Sequence, residues 1–308
     1  MKTADITDDP GPAGPGAGTG AGAVAAPARE RSGWAETWIT FTRNRAALIG
    51  LIILAVIFVV TLLAPWISPH DPNAQNLALR REGPSGDAWL GRDAFGRDIL
   101  SRIMLGARAT LLAAAGSVLL SGIIGIVVGV VAAYRGGIAD NLLMRSMDLV
   151  LSFPYFLLAI LVVAVAGPSL TNAAIAIAVT YIPQYARVVR GAALEVMGKE
   201  FVDAAHASGV RGPRIAIRHV LPNISAPIIV ITTVGLALAI VGVSSLSFLG
   251  LGAQPPSPEW GAMLADGRQY VASAPHISIF PGLAILLTVL SLNLVGDGFR
   301  DTFDPTMR

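Results

Sequence analysis

The 308-residue chain is 54% hydrophobic and only 14% charged, where soluble domains carry about 25% charged residues. It contains no cysteine, which excludes a disulfide framework, a thiol nucleophile and a thiolate-bound metal or iron–sulfur centre. The formal net charge of +2 is too small to suggest nucleic acid, and long stretches carry no charge at all, which points to a membrane.

In chain order, residues 10–28 are almost wholly Gly, Ala and Pro, a composition that cannot bury enough apolar surface to fold. Residues 1–33 are therefore expected to be a disordered cytoplasmic tail. No basic start leads directly into an apolar run, so no cleaved signal peptide is expected. Residues 34–41 read as a short amphipathic segment at the membrane surface, flanked by Arg31, Arg43 and Arg45, or equally as a plain juxtamembrane linker.

A spanning helix needs about 20 predominantly apolar residues. The pattern predicts six, at 46–64, 109–134, 149–166, 170–188, 226–252 and 276–296, with Gly167 and Pro168 dividing the third from the fourth. The fold class expected is an all-α integral membrane protein. Of the 22 Lys and Arg residues, only Arg80, Arg81, Arg92, Arg97, Arg102, Arg108 and Arg268 fall on one side of such a chain. The other fifteen collect on the side of the termini, which the positive-inside rule assigns to the cytoplasm. The expected organisation is a surface segment and first span at 34–66 and an extracytoplasmic loop at 67–106. A core at 107–299 follows, with a cytoplasmic loop at 189–222 and a tail at 300–308.

Catalytic motifs are missing. No G-x-x-x-x-G-K-[ST] loop, H-E-x-x-H pair or G-x-S-x-G elbow occurs, and His70, His206, His219 and His276 are scattered. No catalytic, cofactor-binding or metal residue is expected. Gly122, Gly125, Gly129, Gly242, Ser244, Ser245 and Ser247 read as small-residue helix-packing faces. The span interiors hold no ionisable group, and Asp148 and Asp297 sit at cytoplasmic ends. Ion-coupled carriers generally keep such a group at mid-membrane, so the energy for uphill transport is expected from another subunit.

The loop 190–223 reads RGAALEVMGKEFVDAAHASGVRGPRIAIRHVLPN. A helix is expected over 194–207, stopped by Gly209, then a turn at 211–213 and a second short helix at 215–220. Leu221 and Pro222 are expected to break the chain before the fifth span. Such an elbow exposes Phe201, Val202 and Ile215 as a knob for a groove in another protein.

This loop resembles the coupling loop of ATP-binding-cassette importer permeases. Asp203, Ala204 and Ala205 fill the acidic-Ala-Ala positions, Gly209 the glycine, and Leu221 and Pro222 the ending, with His219 where Ile is usual. The ending R-H-V-L-P-N is similar to that of peptide-type permeases. Residues 90–111, LGRDAFGRDILSRIMLGARATL, resemble a segment of the C-type permease of dipeptide, oligopeptide and nickel importers. Arg145, Asp148 and Pro154 match the start of that family's third helix.

The resemblance, which covers about residues 40–308, implies a type I importer permease fold in a bacterial cytoplasmic (inner) membrane. It also implies a homologous B-type permease partner, two ATPase subunits carrying ATP and Mg, and an extracytoplasmic solute-binding protein, with lipid around them. Phe201, Asp203, Ala204, Ala205, Gly209, Ile215, His219, Leu221 and Pro222 would form the ATPase-coupling surface. Gly91, Arg92, Asp93, Gly96, Arg97, Asp98, Ser101 and Arg102 would form an external gate, receive the binding protein, or order their own loop by salt bridges. The implied cargo is di- or oligopeptides, with nickel or another small solute as the alternative. A stand-alone channel or secondary carrier, a membrane enzyme and an exporter subunit are the competing classes, disfavoured in turn by span interiors without ionisable groups, by the missing motifs and by the importer-type loop.

Overall fold

A computed structural model describes residues 41–210 and 212–303; the expectations for the N-terminal tail and for residues 34–40 lie outside them. Among the described residues the fold is all helical and no strand forms. The principal helices are α1 (Arg45–Ile67), α2 (Ile99–Arg135), α3 (Gly137–Leu151), α4 (Tyr155–Ala166) and α5 (Leu170–Met197). They continue as α6 (Glu200–Ala207), α7 (Ser225–Phe248), α8 (Trp260–Gly267) and α9 (His276–Phe303).

Several starts follow from side-chain caps that satisfy the free N–H groups of a first turn. Asn44 accepts from the Ala47 amide, Asp98 from Ser101, Ser169 from Asn172 and Glu259 from Ala262. Asp98 accounts for a departure from expectation: α2 starts ten residues before the charge-free run and is 37 residues long. Positive φ angles at Gly136 and Gly137 (58° and 54°) turn the chain sharply into α3.

Helices α1, α2, α7 and α9 are each long and apolar enough to cross a membrane, and α3 with α4 makes a fifth span if the bent pair counts as one. That pair corrects the expected straight helix at 149–166. The chain bends by 88° between α3 and α4, because Pro154 has no N–H and disfavours helical geometry at Phe153. Helix α5 is 28 residues long but less apolar, with Thr180, Tyr181 and Tyr185 in its middle. All three are buried, because α5 lies inside the bundle against α2 and α7.

The small-residue faces lie where the helices approach most closely. A Cβ on Gly125 would stand 2.3 Å from the Tyr185 Cβ, and one on Gly129 would stand 2.6 Å from the Ala186 carbonyl oxygen. Gly242 meets Ile177 in the same way, at 2.7 Å. These contacts bring α2 and α7 onto α5 and enclose a central core of Ala114, Val118, Ile177, Tyr185, Ile240 and Leu246. Outward faces of α1, α2, α4 and α9 carry exposed Leu, Ile, Val and Phe, as a lipid-facing surface requires. Helix α7 ends at Phe248, earlier than expected, with Gly250 at φ 81° as its stop. Helix α9 runs beyond the expected 296, to Phe303.

Candidate functional site

Two polar assemblies occupy opposite ends of α2. At the Arg135 end, α5 stops at Gly198 and α6 starts at Glu200, so the helix expected over 194–207 is two helices. Gly209 then closes α6 with φ 76°, its amide donating to the His206 carbonyl (2.9 Å) and the Val210 amide to Ala205 (3.1 Å). This pair of bonds satisfies two of the last free carbonyls and reverses the chain. A single turn at Gly212–Ile215 and a π-helical turn at Ala216–Val220 follow. Leu221 and Pro222 do not break the chain as expected. It stays helical to Asn223 and is interrupted only at Ile224, because the wider turn lets the Leu221 amide reach the Ala216 carbonyl.

Burial sorts the elbow into a root and a free face. Val202 and Ile215, expected to be exposed, are 1% and 0% accessible. They pack with Ala133 of α2, Val189, Ala193 and Val196 of α5, and Val220 and Ile224. An eight-residue amphipathic helix must bury one side somewhere, and here it buries it within its own chain. Phe201 remains 41% exposed and lies 6.4 Å from the His219 ring. Asp203, Ala204, Gly209 and Pro222 are exposed, and Ala205, His219 and Leu221 half-buried. Ile217, absent from the expected set, is 67% exposed on the same elbow. Its place two residues from buried Ile215 in I-A-I-R-H was the available signal. Gly212 sits directly on the Tyr134 ring at the end of α2, where a Cβ would meet the Tyr134 hydroxyl.

Beside the elbow, two ion pairs fasten α3 to α5. Arg190 grips Asp140 with two bonds of 2.5 Å, and Arg187 pairs with Asp148. The forked Arg190 contact fits a carboxylate in both distance and direction. Sequence reading missed the Asp140 pair, since nothing local links residues fifty positions apart. Arg145 is exposed, and Pro154 stands at the N-terminus of α4.

At the Ile99 end, residues 91–98 form a tight hairpin, bridged at Arg92 and Asp98. Asp93 is its centre. One oxygen accepts from the Phe95 and Arg97 amides (2.8 and 3.0 Å), the other from the Arg97 guanidinium (2.6 Å), and the Arg102 guanidinium lies at 3.6 Å. Gly96 turns the hairpin at φ 75°, so close to the Asn76 carbonyl oxygen that a Cβ would overlap it. Arg92 pairs with Asp87 at 2.6 Å, and Asp98 also takes the Ser101 hydroxyl. Gly91 packs against His276, the first residue of α9. The eight singled-out residues 91–102 thus come together in one buried cluster.

The cluster reaches further than the sequence indicated. Arg97 also binds Asp266 of α8 at 3.2 Å, and Arg102, 1% exposed, donates to the Pro72 carbonyl at 3.0 Å. Nearby, Glu259 is fully buried, taking the Thr110 and Ser244 hydroxyls (3.2 and 3.3 Å) and the Ala262 amide (2.9 Å). It joins α2, α7 and α8 at one point. Among the described residues, no group of three or more His, Asp or Glu side chains is arranged to hold a metal.

Comparison with known proteins gives consistent relatives. Residues 125–308 match the family described as binding-protein-dependent transport system inner membrane component. Residues 32–84 match the N-terminal transmembrane domain of oligopeptide transport permease C. A dipeptide transport system permease protein of Alkalihalophilus pseudofirmus is 44% identical over 90% of this chain and 91% of its own length. A glutathione transport system permease protein of Pectobacterium atrosepticum is 42% identical over 90% and 93%. Among solved structures, a chain of the inward-facing methionine ABC transporter superimposes with a TM-score of 0.54. It covers 67% of this chain and 98% of its own at 20% identity, a likeness of fold.

Proposed function

From the premise that this chain belongs to the binding-protein-dependent transport inner-membrane family, as a multi-pass ABC importer permease, we propose that it passes di- or oligopeptides. It forms half of the translocation path and pairs with a homologous permease. The peptide assignment is supported by relatives named for dipeptide and glutathione transport. Six crossings are read from the apolar runs of the sequence, and the Lys and Arg distribution over them supports both termini in the cytoplasm. That orientation puts the elbow at 198–224 in the cytoplasm and the hairpin at 91–98 outside, facing a solute-binding protein.

The observation that carries the coupling role is the elbow's two-sided construction. Its root is buried in the chain's own apolar cluster, while Phe201, Ile217, Asp203 and Ala204 stay exposed. A free apolar and acidic knob on a rigid root suits a groove on an ATPase subunit, where ATP and Mg would be held. ATP-driven displacement of the knob would then switch the path between two states, the permease supplying differential contacts and no chemistry. The hairpin cluster, whose acids and bases pair in charge with one another, serves to order its end of the fold.

The test is Gly209→Asp in the native operon, read by peptide uptake, membrane insertion and co-purification of ATPase subunits. No atom lies within 4 Å of a Cβ at Gly209, so the substitution meets no clash and adds only about 1 kcal/mol of backbone strain. Expected are normal insertion, loss of ATPase subunits from the purified complex and loss of uptake. Normal uptake by the variant would refute the coupling role.

A further inference from the structure

A groove of about 480 Å³ opens between α1, α2, α7 and α9. Its walls are apolar, among them Leu54, Phe58, Leu111, Ala115 and Leu236. Its two hydroxyls are already used: Thr61 donates to the Ile57 carbonyl and Thr288 to Ala284, each at 2.7 Å. One charged group borders it, Arg108. Arg108 is exposed and, among the described residues, has no hydrogen-bond or ion-pair partner. Its neighbours Arg92, Arg97 and Arg102 all lie against carboxylates.

The depth of Arg108 is set by two observations. It immediately precedes the charge-free run 109–134, so it stands at the edge of the hydrocarbon layer. Across the groove, Leu62 lies one turn from Trp66, which is 77% exposed, as an indole at the lipid headgroup level would be. We propose that this groove seats one acyl chain of an anionic phospholipid, with the lipid phosphate on the Arg108 guanidinium. An apolar trough with no spare hydrogen-bonding group takes a hydrocarbon chain. A lone guanidinium at headgroup depth takes a phosphate in forked geometry. The site depends on the chain's place in a membrane and not on the coupling role of the elbow.

The test uses the full chain, purified with its partners in mild detergent and exposed to equal phosphatidylglycerol and phosphatidylcholine of identical chains. Bound lipid is read by native mass spectrometry. One basic residue at an anionic surface gives a preference of about five-fold for phosphatidylglycerol. Arg108→Gln is expected to reduce that to near parity, whereas Arg268→Gln, at an exposed position outside the groove, keeps it. Ala115→Trp, which fills the trough, is expected to lower retention of both lipids. An undiminished preference in Arg108→Gln, or an equal loss in Arg268→Gln, would overturn the site. So would a photo-crosslinker at Ala115 that captures a polypeptide in native membranes in place of lipid.

Discussion

Removing the Asp93 carboxylate isolates the contribution of the hairpin cluster. Asp93→Ala deletes the acceptor of two backbone amides and of the Arg97 guanidinium, and strips Arg102 of its nearest anion. Asp93, Arg97 and Arg102 are 4%, 3% and 1% exposed, so solvent cannot replace what is lost. Breaking a buried ion pair by deleting one partner costs about 3–5 kcal/mol, against about 0–1 kcal/mol for a surface pair. Asp266 still faces Arg97, which favours the lower end, about 3 kcal/mol. Local opening of the hairpin is the first consequence. Amides bonded inside it, those of Asp93 and Gly96, are expected to lose roughly a hundredfold of their hydrogen-exchange protection. A double-mutant cycle with Arg97→Ala is expected to show coupling above about 1.5 kcal/mol. Exchange within about threefold of the parent, or a cycle near zero, would show that the pair behaves as a surface contact and refute the reasoning.

Gly96 and Gly209 both have positive φ but differ in their surroundings. Gly209→Ala costs about 1 kcal/mol of backbone strain with no clash, and the purified protein's melting temperature is expected to change little. Gly96→Ala forces a methyl into the Asn76 carbonyl and is expected to lower yield and melting temperature far more. Gly125→Leu, which pushes Tyr185 off α2, is expected to abolish accumulation of folded protein, measured by size-exclusion profile in detergent. Glu259→Ala leaves two buried hydroxyls and one helix-capping amide without their acceptor. That costs about 1–3 kcal/mol for each group left unpaired, and thermal unfolding of the variant against Glu259→Gln measures it.

The span centres were legible because a charge-free run leaves few alternatives, and so was the left-handed stop at Gly209, because no other residue adopts it cheaply. Contacts at Gly125 and Gly129 could also be anticipated, since four-residue spacing puts both on one face. The bend between α3 and α4 was harder, because hydropathy carries no direction; Pro154 was the only local sign of it. The early start of α2 had a signal that went unread, Asp98 three residues before Ser101. Which side of α6 turns inward could not be read, since an amphipathic helix shows two faces without saying what covers either. The pairs Arg97–Asp266 and Arg190–Asp140 belong to tertiary structure alone.

The two ends of α2 are held by different physics, and that difference bears on how motion would pass through the molecule. At the Arg135 end, the elbow's Val202 and Ile215 are embedded among side chains from both α2 and α5. Along their length those helices touch backbone to side chain at Gly125 and Gly129, a contact too close for either to slide freely. A displacement of the elbow must therefore carry α2 and α5 together, with α3 tied to α5 through Arg190 and Arg187. At the other end, Arg97 of the hairpin donates to Asp266 of α8, Arg102 of α2 to the Pro72 carbonyl, and Glu259 accepts from Thr110 of α2 and Ser244 of α7. Such bonds tolerate little rotation before they break, so a swing of the Arg135 end would leave the Ile99 end as a rigid cap. The compliant positions lie beyond the Arg135 end, at Gly136 and Gly137, which link α2 to α3, and at the bend before Pro154, where no side-chain cap fixes the chain. Gly136→Ala and Gly137→Ala, which strain the left-handed turn between α2 and α3, are expected to slow uptake while leaving ATPase subunits bound, the opposite pattern to Gly209→Asp.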